Sequence, residues 1–160
     1  MSVWGALVGG FLGTVILTTT LRAASELRLT RMDIPFLLGT AFSDDRRRAK
    51  AIGYALHFLF GLVFALMYWV AFRVLGESSW WLGGLFGLVH FAFAGSALVN
   101  VLLPVVHPRM GTHATSARST PLLEPPGFML MNYGRQTPLV ALFAHVAYGV
   151  IVGAFVSAAG

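Results

Sequence analysis

No cysteine occurs anywhere in the chain. That excludes disulfide exchange, quinone-coupled thiol oxidation, iron–sulfur ligation and thiolate metal sites. Charge is nearly as scarce: 11% of the 160 residues are Asp, Glu, Lys or Arg, against 57% hydrophobic. The few charges are also segregated, and none falls in 1–21, 51–72, 80–106 or 137–160. With no carboxylate in these runs to couple a proton or a cation, a small transporter is the least favoured function. Neither a glycine-rich phosphate cradle nor a nucleophile elbow occurs. No catalytic constellation is complete, and no nucleic-acid partner is expected.

What remains is the composition of an integral membrane protein. A bilayer core of about 30 Å needs roughly 20 helical residues, and the apolar runs predict four membrane helices at 3–21, 51–72, 80–103 and 138–158. The whole chain then forms one antiparallel bundle. The first run is read as a retained span, because no basic residue precedes it and no small-x-small cleavage site follows. The short turn after Arg73 makes spans two and three antiparallel neighbours, with Trp80 and Trp81 as interfacial anchors.

The basic residues set the expected orientation. Of the 11 Lys and Arg, Arg22, Arg28, Arg31, Arg46, Arg47, Arg48, Lys50, Arg109, Arg118 and Arg135 lie in the two long loops, and only Arg73 lies on the other side. These loops should be cytoplasmic, with both termini outside the cytoplasm. Each long loop also carries an interfacial segment. In the first, Asp33-Ile34-Pro35 is a helix-start signal, and Ser43 is placed to cap the helix that becomes span two.

Small residues form stripes at helical spacing. Gly53, His57, Gly61 and Ala65 recur every four residues, and so do Ala141, His145, Gly149 and Gly153. Gly5, Gly9 and Gly13 line one face of span one, as Gly83 and Gly87 do in span three. Such stripes let helices approach closely in lipid, where packing drives association. The correspondences predict a tandem two-helix repeat, with Glu124-Pro125-Pro126-Gly127-Phe128 as a looser echo of Asp33-Ile34-Pro35-Phe36 and a pseudo-twofold along the membrane normal.

His57 lies seven residues beyond Lys50 and His145 seven beyond Pro138, so both should sit roughly 10 Å below the same membrane face. His90, fourteen residues before Pro104, should lie roughly 21 Å from it and outside the pair. Two level histidines on diagonal helices suit a planar cofactor, so His57 and His145 are candidate ligands of haem b or a transition metal. Their alternative role is helix-to-helix hydrogen bonding. Near the cytoplasmic face, Glu26, Asp33, His107, His113 and Glu124 are candidate ligands for iron, manganese or zinc, although no Glu-x-x-His or His-x-x-x-His spacing sharpens them. His107-Pro108-Arg109 also reads as the punctuation of a helix end.

Met32-Asp33-Ile34-Pro35 after a glycine-rich first span, the stretch from Gly53 to Gly61 containing His57, and Ala144-His145-Val146-Ala147-Tyr148-Gly149 together resemble a loose group of small bacterial multi-pass membrane proteins, known only as domains of unknown function. The resemblance implies a bacterial inner-membrane protein and a role for the Met-Asp-x-Pro and His-x-x-x-Gly elements. It carries no activity to transfer. The leading functional expectation is a non-catalytic protein that packs against lipid and against other membrane subunits or itself, as an accessory or assembly subunit or a homo-oligomer. Its basis is that eighteen glycines are more packing surface than four helices need. Electron transfer through a cofactor on His57 and His145 is the second expectation.

Overall fold

In the computed structural model, residues 1–110 and 123–159 are described, and no strand forms among them. Four helices are long and apolar enough to cross a membrane: Val3–Glu26, Arg46–Leu75, Trp80–Val106 and Thr137–Ala158. The chain is a multi-pass membrane protein. We label the helices α1 (Val3–Glu26), α2 (Ile34–Gly39), α3 (Arg46–Leu75), α4 (Trp80–Phe93), α5 (Leu103–Val106) and α6 (Thr137–Ala158). A π-helical stretch, Ala94–Leu102, joins α4 to α5, and a 3₁₀ segment, Phe128–Tyr133, precedes α6.

Local chemistry sets most boundaries. Ser2, Asp33, Asp45 and Ser79 cap α1, α2, α3 and α4 with side-chain oxygens that accept from backbone N–H groups of the first turn. The cap of α3 is therefore Asp45, whose carboxylate accepts from the Arg48 N–H at 2.9 Å; the Ser43 hydroxyl instead accepts from the Asp45 N–H. Gly76, at φ 72°, ends α3 in the left-handed conformation. Pro104 does not close the third span: the winding runs on from the π-helical stretch through Pro104 to Val106, and His107 ends it. Just before it, the Asn100 amide donates to the carbonyls of Gly95 and Ser96 within the π-helical winding.

The bundle is built around α6. On one side, Gly5, Gly9 and Gly13 of α1 press on Phe155, Val152 and Tyr148. On the other, Gly83 and Gly87 of α4 meet the backbones of Gly149, Gly153 and His145. Helix α3 packs on α1 through Ala65 against Gly10 and Gly61 against Thr14. Their antiparallel alignment is fixed at the far end by the Trp69 indole N–H, which donates to the Met1 carbonyl at 3.1 Å. Helices α3 and α4 are joined differently. Large rings fill the space between them, with Phe72 on Phe86 at 4.9 Å and Tyr68 edge-on to Phe86 at 5.4 Å.

This arrangement corrects the expected repeat. Under a pseudo-twofold, Gly5 and Gly9 would face the helix equivalent to the one that Gly83 and Gly87 face. Both stripes instead converge on the same helix, α6. The loop echo fails as well: the first element is a capped α-helix, whereas the second is a 3₁₀ segment in which Met129 and Leu130 have φ of 52° and 66°. The likeness of the stripes reflects a shared need for close helix contact.

Helix α2 turns back against the bundle. It docks antiparallel to the start of α3, with Pro35 against Gly53 and Gly39 against Ala49, backbone on backbone. An ion pair from Lys50 to Asp33 at 3.0 Å closes the same junction. The segment after α1 is tied to the second loop: the Arg31 N–H donates to the Tyr133 carbonyl at 2.8 Å, and its guanidinium donates to the Asn132 carbonyl.

Candidate functional site

The three intramembrane histidines have separate surroundings. His145 is buried in the centre of the bundle, and its Nδ1–H donates to the Ala141 carbonyl one turn back, at 2.7 Å. His90 stacks on Phe64 with centroids 3.7 Å apart, and its Nδ1 is hydrogen-bonded to the Tyr68 hydroxyl at 3.2 Å. The His90 and His145 rings meet edge to face at 4.8 Å. Tyr148 completes the group, 5.8 Å from both His90 and Tyr68, and its hydroxyl donates to the Gly61 carbonyl across the bundle.

His90 therefore belongs to the central cluster, contrary to the expected depth. The error lies in the reference point, because Pro104 and Pro138 are not level. Gly87 rests on the His145 carbonyl, while Gly95, eight residues on, faces Met129, which precedes α6 in the chain. The third span thus runs past the start of α6, and counting back from Pro104 places His90 too deep.

The space assigned to a planar cofactor between His57 and His145 is filled. Thr14 occupies the position a side chain at Gly61 would take, the Gly83 backbone fills the space beside Gly149, and the Tyr148 hydroxyl bridges the same diagonal. The residues present do not fit a haem between these two histidines.

The peripheral candidate ligands are not brought together. Glu26 pairs with Arg22 at 2.9 Å, Glu124 with Arg31 at 3.4 Å, and Asp33 with Lys50 while it caps α2. His107 is buried, and both of its nitrogens are engaged. Its Nε2 bonds to the Leu37 carbonyl at 3.0 Å and to Thr40 Oγ1 at 3.3 Å, and its Nδ1 accepts from the Arg109 N–H at 3.2 Å. It latches the end of the third span onto α2. Among the described residues, no three histidines or carboxylates gather as a metal site. His113 lies outside the described residues. Tyr133 donates its hydroxyl to the Glu124 carbonyl at 2.9 Å. Burial, then the nearby Glu124 charge, push its ionisation up to about 12, so it remains a donor at neutral pH.

His57 differs from the other two. Its Nε2 is buried without a hydrogen-bond partner among the described residues, with Phe58 edge-on at 6.4 Å. The residue lines a small cavity of about 40 Å³, shared with Thr18, Arg22, Ser25, Asp33 and Tyr54 and partly open to the surface. Sequence reasoning missed Tyr68 and Tyr148. The available signal was spacing: Tyr148 follows His145 by three residues and so lies on the same helical face. Compared with protein-family models, with curated proteins and with solved structures, the chain finds no match.

Proposed function

We propose that this protein is a non-catalytic membrane protein that works by contact, as an accessory or assembly subunit held in a larger membrane complex by the outer face of α3 beside α4. We place it in a bacterial inner membrane with the two long loops in the cytoplasm. The split of basic residues and the resemblance of its motifs to small bacterial membrane proteins support that placement.

The observation that carries the proposal is unequal sealing of the bundle. Helix α6 has 44% of its apolar window buried and α1 has 39%, but α3 has 22% and the third span 17%. The glycine stripes, expected to exceed internal need, are used up between helices of this chain, so a partner must be met elsewhere. Beside Phe86, the half of α3 nearest its C-terminus forms one wall of an open apolar groove with Val63, Met67, Val70, Ala71 and Val74. These α3 positions run for about three turns, roughly 16 Å, the length over which a second helix makes useful contact.

The lack of native cysteine makes a clean test available, since one introduced cysteine is a unique attachment point for a photo-crosslinker. A benzophenone on Met67→Cys should form protein adducts in native membranes. The same probe on Val8→Cys, on the outer face of α1, should label lipid alone. The two sites are similarly exposed, at 57% and 46%, so accessibility does not explain a difference. Lipid adducts alone at both sites, or equal protein adducts, would overturn the assignment of this face.

A further inference from the structure

We infer that the cavity beneath Met32-Asp33-Ile34-Pro35 is a hydrated inlet, which brings water and exchangeable protons to His57 from the membrane side that carries the two long loops. Two independent observations meet here. One is that the His57 Nε2 is buried in an apolar span with no hydrogen-bond partner among the described residues, a costly state for a polar group. The same residue lines a cavity of about 40 Å³, room for roughly three waters at 10–15 Å³ each.

The walls are mixed: Leu21, Met32, Ile34 and Pro35 supply the apolar part, and polar groups supply the rest. Thr18 and Ser25 offer hydroxyls from α1, Tyr54 offers its phenol from α3, and the Arg22 guanidinium and Asp33 carboxylate stand at the same opening. A water needs two to four polar partners, and these groups supply them. The backbone-on-backbone docking of α2 on α3, Pro35 on Gly53 and Gly39 on Ala49, sets α2 against the opening. The Asp33–Lys50 ion pair fixes one rim of it.

The ionisable groups that share the cavity with His57 are Arg22 on α1, Asp33 at the start of α2 and Tyr54 on its own helix, with Glu26 paired to Arg22 and Lys50 to Asp33; His145 and His90 lie on α6 and α4. Of the three histidines, only His57 lines the cavity. His145 spends its Nδ1–H on the Ala141 carbonyl, and His90 is covered by Phe64 and Tyr68. The structure therefore separates one imidazole on a cavity wall from two held by contacts within the bundle.

The test is water-to-imidazole magnetisation exchange on the full chain, labelled with ¹⁵N-histidine in lipid nanodiscs. His57 should exchange with water at least about tenfold faster than His145, whose ring proton must wait for local opening. Ser25→Leu, which places a hydrocarbon in the inlet, should slow His57 to the rate of His145 and leave the other histidine resonances in place. Should that variant fail to fold, Thr18→Val offers a milder block and the wild-type comparison stands alone. Equal slow exchange at all three histidines in the wild type, or fast exchange at His57 that survives a folded inlet block, would overturn the inference. Neither result bears on whether the outer face of α3 meets a partner, so the two proposals fail separately.

Discussion

Gly149→Leu should leave no assembled bundle to purify. A Cβ at this position would overlap the Gly83 carbonyl, and the Gly87 backbone N is close behind. The obstacle is main chain from another helix, which cannot rotate aside as a side chain does. Overpacking a core costs about 1–3 kcal/mol when neighbours can adjust. Here α4 and α6 must separate along their length, and in lipid the close packing that is lost is itself what holds helices together. The cost should exceed that range. Leu139→Ala on the same helix, at a position 69% exposed, is the matched control and should change little. Fluorescence-detected size exclusion in mild detergent reads the outcome. A monodisperse Gly149→Leu peak as stable as wild type would remove α6 from the centre of the fold.

Tyr148→Ala should be the most damaging truncation of a side chain. Tyr148 is 1% exposed and contacts α1 at Gly13, α3 at Tyr68 and α4 at His90, so one residue ties α6 to all three other spans. Removing a buried ring of this size costs about 3–5 kcal/mol. Tyr148→Phe keeps the ring and loses only the hydrogen bond to Gly61, at about 1 kcal/mol. Unfolding titrations in mixed micelles should therefore rank alanine far below phenylalanine. Comparable losses in the two variants would mean that the hydrogen bond, and not the packing of the ring, holds the centre together.

The four spans were legible because a membrane helix must be long, apolar and free of charge, and these are one-dimensional properties. The Asp33 cap was legible for a similar reason, since it acts within three residues of itself. Register between helices was not. His90 was placed by counting from Pro104 on the premise that a proline ends its helix, but the helical winding continues through π turns and carries the span past the start of α6. The glycine stripes marked contact faces correctly while hiding which helix each face meets, because Gly5 and Gly83 look alike and pack on opposite sides of α6. His107 does end its helix as its punctuation suggested, but its side-chain contacts were not legible. Its partners, Leu37 and Thr40, lie about 70 residues earlier in the chain, and no local pattern announces them.

These misreadings bear on function. A level pair of histidines suggested a cofactor, whereas the pair that forms is His90 with His145, edge to face and enclosed by aromatic rings, which is a packing and hydrogen-bonding arrangement. The chemistry left over is one imidazole beside a small cavity with some polar lining and one apolar groove on the longest helix.

The central claim is that this chain acts by contact within the membrane, and native mass spectrometry after polymer extraction from its own membranes, without detergent, tests it most directly. The account predicts particles in which the 17.3 kDa chain is accompanied by at least one further protein chain, with that association lost in a folded Ala71→Trp variant that fills the groove. Particles holding a single copy of the chain with lipid alone would contradict it.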